Sequence, residues 1–333
     1  MRTENSATPP TGIAVGGAAA PRTAPGTPAG NPAETPAPPA LPVPGAPRSD
    51  RGTLLAVLGV VAFSLTLPST VWGLESFGPW SLVTVRTVLA ALLSGGCLLA
   101  LRVPFPDRRQ WLGLAVVALG VVVGFPLLTT LALETSSTAH AAVVIGLLPL
   151  TTAGYASLRT GHRPSRTFWA AALAGAAVVV GFTVQQSGGA LSLADLYLFG
   201  ALLLCAAGYG EGGRLAREMP GWQVTGWALI GCLPLALAGS AVALSFEPVR
   251  LTAHGVLGIG WVVVGSTFFG LYVWYRGMAS IGIARASQLQ LAQPMLTLLW
   301  SVLLLGEHVT PAAPLAAGAV LVCIAVTQRA GRR

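Results

Sequence analysis

Three polar side chains stand out in a sequence that has few of them. Gln290, Gln293 and Thr297 follow an i, i+3, i+7 progression, so they share one face of a helix. Pro294 adjoins the second of them, and Gln288 adds another amide. Uncharged amides in apolar surroundings need partners. Their chemistry is hydrogen bonding, either to a neighbouring helix or to a polar solute. A proline inside a helix removes one backbone donor and frees a carbonyl. Pro68, Pro126, Pro149, Pro234 and Pro294 all lie in apolar runs and are expected to interrupt helices. Ser64, Thr66 and Ser69 surround Pro68, and Ser266 and Thr267 are further hydroxyls at depth. Such groups line polar cavities, or they bond their own helix backbone. Arg86 is the one basic residue inside an apolar run. A central arginine costs roughly 2.5–3.5 kcal/mol on insertion scales. It follows Trp80 by about 9 Å of helix, so two readings stand. It either snorkels to an interface or offers a counter-charge to an anionic group on a solute.

Proton transfer needs titratable groups. Glu134 and Glu211 end apolar runs and His140 begins one. These three are the candidates for a proton relay, with solvated interfacial positions as the plainer alternative. Intramembrane enzyme chemistry needs a nucleophile with a base, paired acids or metal ligands. The sequence has no HExxH, no GxSxG and no acid pair within the apolar runs, so no catalytic residues, metal or cofactor are expected. Cys97, Cys205, Cys232 and Cys323 all lie in apolar runs without metal-site spacing and read as packing residues.

The elements that must position these groups are apolar helices. The 333 residues are 53% hydrophobic and only 9% charged, with a mean hydropathy of +0.71, against about 25% charged in a soluble domain. The formal charge is +8 and the pI about 10.2, with every basic residue an arginine. The arginines sit in the gaps between apolar runs rather than on one face, which is a membrane pattern and not that of a nucleic-acid binder. A span needs ~20 residues. Charge-free runs of that size are Gly52–Leu74, Trp111–Leu133, Thr135–Leu158, Thr167–Ala194, Met219–Phe246, Leu251–Tyr275, Ala286–Gly306 and Val309–Gln328. Trp80–Leu101, which contains Arg86, and the short Leu196–Gly210, bounded by Asp195 and Glu211, complete a set of ten. Trp72 and Trp274 read as interfacial belt residues, and Gly120 with Gly124 as a close helix contact. Residues 1–50, rich in Pro, Ala, Thr and Gly, cannot bury enough apolar surface to order and read as a disordered tail. With both termini in the cytoplasm, fifteen loop arginines fall on the cytoplasmic side and Arg250 alone on the other, as the positive-inside rule requires.

The halves repeat. A shift of 145 residues aligns Ala139 with Ala284, Pro149 with Pro294, Thr152 with Thr297 and Gly161 with Gly306. Each half, 51–190 and 191–333, then holds five helices, and an odd number makes the copies inverted. Interrupted helices in inverted repeats mark the midplane sites of secondary transporters, so Pro149 and Pro294 point to a central cavity. The sequence resembles the drug/metabolite transporter superfamily, in its ten-helix EamA-type group. Phe63-Ser64-Leu65-Thr66-Leu67-Pro68 is similar to that group's first-helix pattern, and Arg86-Thr87-Val88-Leu89-Ala90-Ala91-Leu92 to the opening of its second helix. Gly282 to Val326 carries Gln293-Pro294, Leu305-Gly306-Glu307 and Gly318 at the group's spacing. Gly161-His162 stands where a Gly-Glu pair is usual in the group, and Gln293 where an acid often precedes the proline.

The resemblance implies an all-α multi-pass protein of the cell membrane that exports small metabolites, amino-acid-like solutes foremost, by alternating access. Efflux of cationic drugs and solute sensing without transport are the alternatives. Its partners are then a small-molecule substrate and the lipid bilayer; the sequence leaves open whether it forms a homodimer. The orientation is directly testable. A single cysteine placed at Glu75 labels with an impermeant maleimide in intact cells, and one at Arg163 labels only after permeabilisation. Labelling of position 163 from outside contradicts the assigned orientation.

Overall fold

The computed structural model describes residues 50–160, 165–186, 188–281 and 289–330. The tail up to residue 49, Gly161, His162, Arg163, Arg285, Gln288, Arg332 and Arg333 lie outside them. Among the described residues the structure is all helical, with no strand. Eight apolar helical stretches are long enough to cross a bilayer, and two shorter ones follow. We number them α1 (Asp50–Leu74), α2 (Pro79–Ala100), α3 (Gln110–Leu133), α4 (Thr138–Ile145 with Leu148–Thr160) and α5 (Arg166–Gln186) in the first half. In the second half they are α6 (Leu193–Leu215), α7 (Gly221–Phe246), α8 (Ala253–Gly260, Trp261–Gly270 and Leu271–Ile281 end to end), α9 (Gln293–Leu305) and α10 (Ala312–Ala330).

Two apolar runs end differently from their charge-free lengths. The run Thr167–Ala194 is not one helix. Gly188 and Gly189 adopt φ of 73° and 103°, a left-handed backbone that only glycine enters freely, and α5 stops at Gln186. Ser192 then caps α6 through a reciprocal capping box with Asp195, as the Ser-x-x-acid spacing allows. Asp195 and Glu211 therefore lie inside α6 rather than bounding a short Leu196–Gly210 segment. Pro234 does not interrupt its helix either. α7 runs unbroken for 26 residues with Pro234 inside it, because in a long packed helix neighbouring contacts and local adjustment absorb one missing N–H.

The principal packing partners come from opposite halves: α1 lies on α8, α2 on α7, α3 on α6 and α5 on α10, while α4 packs chiefly on α6 and α9 on α1, with a smaller contact between α4 and α9. Exchanging the halves leaves this pattern unchanged. α2 and α7 run antiparallel, since Gly239 meets Thr84 while Gly226 meets Leu98. Glycine sets the distance where helices cross. A Cβ on Gly277 of α8 would stand 2.5 Å from the backbone nitrogen of Ala56 on α1. A Cβ on Gly120 of α3 would fall against the Leu204 carbonyl of α6, with Gly208 at 3.0 Å. Trp274 is not a belt residue: it is 8% exposed and its Cβ and backbone stack over Gly59.

One end of the bundle is tied across the halves by carboxylates. Glu247, after α7, accepts from the N–H groups of Trp80 and Ser81 at 3.2 and 2.7 Å. Glu307, after α9, accepts from those of Thr138 and Ala139 at 2.8 and 3.0 Å. Each carboxylate thus caps the first turn of the helix that its own helix packs on, where open N–H groups and the helix dipole favour negative charge. Ser76 and Thr252 bond each other at 3.1 Å at the same end, and Arg250 N–H reaches the Ser76 carbonyl.

The crossing distances give a test. Gly277→Val forces α1 and α8 apart and is expected to lower stability by about 1–3 kcal/mol, the usual effect of overpacking. Gly260→Ala on the same helix, with nothing within 4 Å of the new Cβ, is expected to leave it unchanged or slightly raised. Thermal unfolding of the detergent-solubilised variants measures both, and equal melting temperatures for the two contradict the packing described.

Candidate functional site

Proline chemistry explains the centre of the molecule. Pro68 has no N–H, so the carbonyl of Ser64, four residues back, loses its helical donor. α1 is broken there, into Asp50–Ser64 and Thr66–Leu74. The freed Ser64 carbonyl accepts from the Thr297 hydroxyl of α9 at 2.9 Å, and that hydroxyl also lies 3.0 Å from the Gln293 carbonyl. Trp300, one turn along α9, donates its indole N–H to Ser64 Oγ at 2.8 Å, and Ser64 Oγ donates to the Val61 carbonyl. From α8, Trp261 Nε1 reaches the Ala62 carbonyl at 3.3 Å and Ser266 Oγ pairs with Thr66 Oγ1 at 2.9 Å. Ser64 and Thr297 are 0% and 4% exposed. The break in α1 is thus held by donors from α8 and α9. Ser69 is buried one turn on, and Thr267 bonds its own backbone at Val262.

α4 and α9 are broken in the same way. α4 pauses at Gly146 and Leu147, and Pro149 lies in the first turn of its second segment. Leu289 and Gln290 are helical, a turn follows at Leu291 and Ala292, and Pro294 lies in the first turn of α9. Pro294 Cγ stands 3.6 Å from where a Cβ on Gly146 would be, so the two breaks face each other. Around them polar groups are left open. Gln290 and Gln293 are half-buried, and neither amide has a hydrogen-bond partner among the described residues. The Thr152 hydroxyl is buried with no partner among the described residues. Thr152 is the repeat counterpart of Thr297, and the difference has a cause. α6, the first helix of the second half, is continuous, so it presents no freed carbonyl for Thr152 to bond. Pro149 is exposed.

Two π-helical segments flank this region, Ala118–Gly124 in α3 and Trp261–Gly270 in α8. The 145-residue shift superposes them, and π segments in helices often mark functional sites. Nothing in the apolar periodicity announces them. Trp261 and Trp300 carry no such signal either, although Trp300 lies three residues after Thr297 on the same helical face, and Thr152 shows in the sequence only as the repeat match of Thr297.

Arg86 is half-buried on α2, with no ion pair or hydrogen bond among the described residues. A shallow apolar groove of about 290 Å³ between α2 and α7, lined by Trp80, Thr84, Gly239 and Phe246 among others, lies on the other side of that helix. The three relay candidates are not brought together. His140 Nε2 lies 2.6 Å from Asp195 Oδ1, with Asp195 fully buried and Phe182 stacked on the imidazole. Glu134 is exposed nearby in sequence. Glu211 is at the far end of α6, roughly 24 Å from Asp195 at helical rise, paired with Arg159 at 3.2 Å and Arg214 at 2.8 Å. Asp195 is the partner that the sequence reading placed outside the helix.

Comparison with known proteins fits this architecture. The family model described as "EamA-like transporter family" matches twice, over residues 50–184 and 192–328. A Bacillus subtilis (strain 168) protein named uncharacterized transporter YdeK is 41% identical over 285 residues, covering 85% of this chain and 98% of that protein. A solved crystal structure superposes with a TM-score of 0.58 at 22% identity, over 85% of this chain and 98% of the other, and so shares the fold. The chain belongs to the EamA-like transporter family and is a multi-pass membrane transporter built from two copies of that family's repeat.

Proposed function

We propose that the protein is a secondary transporter that exports small amino-acid-like metabolites by alternating access. In this reading ten helices span the membrane as two inverted five-helix repeats, 51–190 and 191–333, with both termini and the 1–50 tail in the cytoplasm. The observation that carries it is the facing pair of helix breaks at Gly146–Leu147 and Leu291–Ala292, each followed by a repeat-related proline and bordered by polar groups that have no hydrogen-bond partner among the described residues. Irregular backbone at membrane depth persists only against protein or a wet cavity. Gln290, Gln293 and Thr152 supply hydrogen bonds there for a polar solute. Pro149 and Pro294 keep the helices open, and Thr66, Ser69 and Thr297 form the adjoining wall. The half-exchange pattern of helix packing and the antiparallel α2 and α7 support inversion, and the two halves would rock about the site. The groups available to couple the cycle to a proton gradient are His140 against Asp195, Glu134 at the same end and Glu211 at the other.

Everted membrane vesicles test this reading. They are offered radiolabelled amino acids, nucleobases and cationic dyes, with and without a pH gradient. Accumulation of amino acids is expected, and at least a tenfold loss in Gln293→Ala vesicles of equal protein content, a hydrogen bond from the side-chain amide to a charged group of the solute being worth about 1.5–3 kcal/mol. Dependence on the gradient directs attention to His140, Glu134 and Glu211. Accumulation of dyes alone, or amino-acid flux indifferent to Gln293→Ala, contradicts the reading.

A further inference from the structure

We propose that His140 and Asp195 form a proton-binding site, and that a proton taken up there from the outer solution holds the outer end of the bundle closed. The inference rests on the transporter reading and the orientation above, and adds control of the same cavity by outer pH.

The proton has a defined atom to bind. Asp195 Oδ2 accepts from the Ser192 N–H and the Ser192 hydroxyl, both at 2.8 Å, in the first turn of α6, where negative charge is favoured. Its other oxygen lies 2.6 Å from His140 Nε2. The carboxyl is thus used as an ionised acceptor, and Nε2 carries a hydrogen towards it. That bond fixes the tautomer and leaves Nδ1, which has no hydrogen-bond partner among the described residues, as the atom that takes a proton. The two side chains are only 7% and 0% exposed. With the imidazole neutral, the pair places one negative charge in this buried spot; with Nδ1 protonated, it is an ion pair of no net charge. Uncompensated charge is costly there. Phe182 of α5 stacks on the ring with centroids 5.3 Å apart, within reach of a cation–π contact.

The other titratable groups at this end of the elements packed on Thr138–Ile145 are few. Glu307, after α9, is bound to the N–H groups of Thr138 and Ala139, and His308 beside it is exposed. Tyr197 is half-buried on α6, Glu134 is exposed after α3, and Glu75, after α1, pairs with the exposed His254 at 3.4 Å. α5 and α10 present none at this end among the described residues. The place of the pair links it to the cavity. α4 and α6 meet on both sides of the break at Gly146–Leu147. Beyond the break Tyr155 lies on Gly210 and Arg159 pairs with Glu211 at 3.2 Å; before it, the printed polar bond between the two helices is His140 to Asp195. His140 is six residues, about 9 Å, from the break. Protonation of His140 draws Thr138–Ile145 onto α6 and closes the cavity on the outer side. Loss of the proton lets that segment turn about the break, carried on α9 by the Glu307 cap, and opens it.

Two measurements on the full-length protein test this. Spin labels on cysteines at Thr135 and Leu193, both exposed, report the separation of α4 and α6 in proteoliposomes. One short distance is expected at about pH 5.5 and a second, longer one at about pH 7.5, the range over which histidine titrates. In His140→Gln the longer distance is expected at both. Everted vesicles, whose lumen is the outer solution, then take up L-leucine, L-phenylalanine or L-threonine with only the luminal pH varied. Wild-type uptake is expected to be at least threefold slower at the lower pH. His140→Gln is expected to be fast at both values and His140→Lys, which keeps a charge, slow at both, while His254→Gln and His308→Gln respond as the wild type does. Elution as a single species after solubilisation shows that each variant is folded. Where His140→Gln fails that check, Asp195→Asn, which removes the counter-charge, takes its place with the same expected loss of response. Wild-type distances indifferent to pH, or a pH response that survives these substitutions, overturn this inference and leave the transporter reading standing. Absence of uptake by the wild type at both values overturns the transporter reading, and the spin-label distances then decide whether the proton site stands.

Discussion

Inside a hydrocarbon layer a backbone carbonyl has no water to fall back on, and the structure turns on how the carbonyls freed by proline are satisfied. At Pro68 the solution is visible atom by atom. The Ser64 carbonyl, without a donor from its own helix, takes one from Thr297 on α9. Trp261 and Trp300 add indole donors to the Ala62 carbonyl and Ser64 Oγ. Those bonds join α1, α8 and α9 at mid-helix, with contributions from both halves of the chain. Helices in lipid gain little from apolar burial against one another and associate through close packing and such polar bonds. The glycine crossings at Gly59, Gly120 and Gly277 supply the close packing.

The two halves use one plan with two asymmetries. The π segments, the broken α4 and α9 and the exchange of packing partners have counterparts across the repeat. The carboxylate caps, both from the second half at Glu247 and Glu307, and the proline in the first helix do not. α1 carries Pro68 and breaks, whereas α6 has no proline and stays whole. Thr297 is accordingly committed to the protein, while Thr152, its counterpart, has no partner for its hydroxyl among the described residues. Around the α4 and α9 breaks, Thr152, Gln290 and Gln293 thus have no hydrogen-bond partner among the described residues.

Much of the fold was legible because hydropathy reports burial in lipid directly. Span lengths and the matched prolines at 149 and 294 can be read from residue order alone. What failed to show in the sequence depends on contacts between distant residues. Thr297 and Ser64 lie 233 positions apart, and no local pattern pairs them. Asp195 passed for a boundary because a charge normally ends an apolar run, whereas here His140 and the Ser192 cap hold it inside the first turn of α6. The π segments are indistinguishable from α-helix by apolar periodicity. Pro234 shows the converse, since a proline alone does not say whether its helix parts or continues. Of the candidate site, the amide face of Gln290 and Gln293 was visible in the spacing, but the open Thr152 hydroxyl required knowing that α6 is continuous.

The account depends most on the claim that Thr297 substitutes for the donor that Pro68 lacks. A double-mutant cycle measures that dependence. Thr297→Val leaves the Ser64 carbonyl unpaired and is expected to lower stability by about 1–3 kcal/mol. In a Pro68→Ala background the backbone N–H at position 68 returns, and the same Thr297→Val change is expected to have little effect. The coupling, read from unfolding of the four proteins in detergent, should then exceed about 1 kcal/mol. Effects that add within about 0.5 kcal/mol would contradict the account.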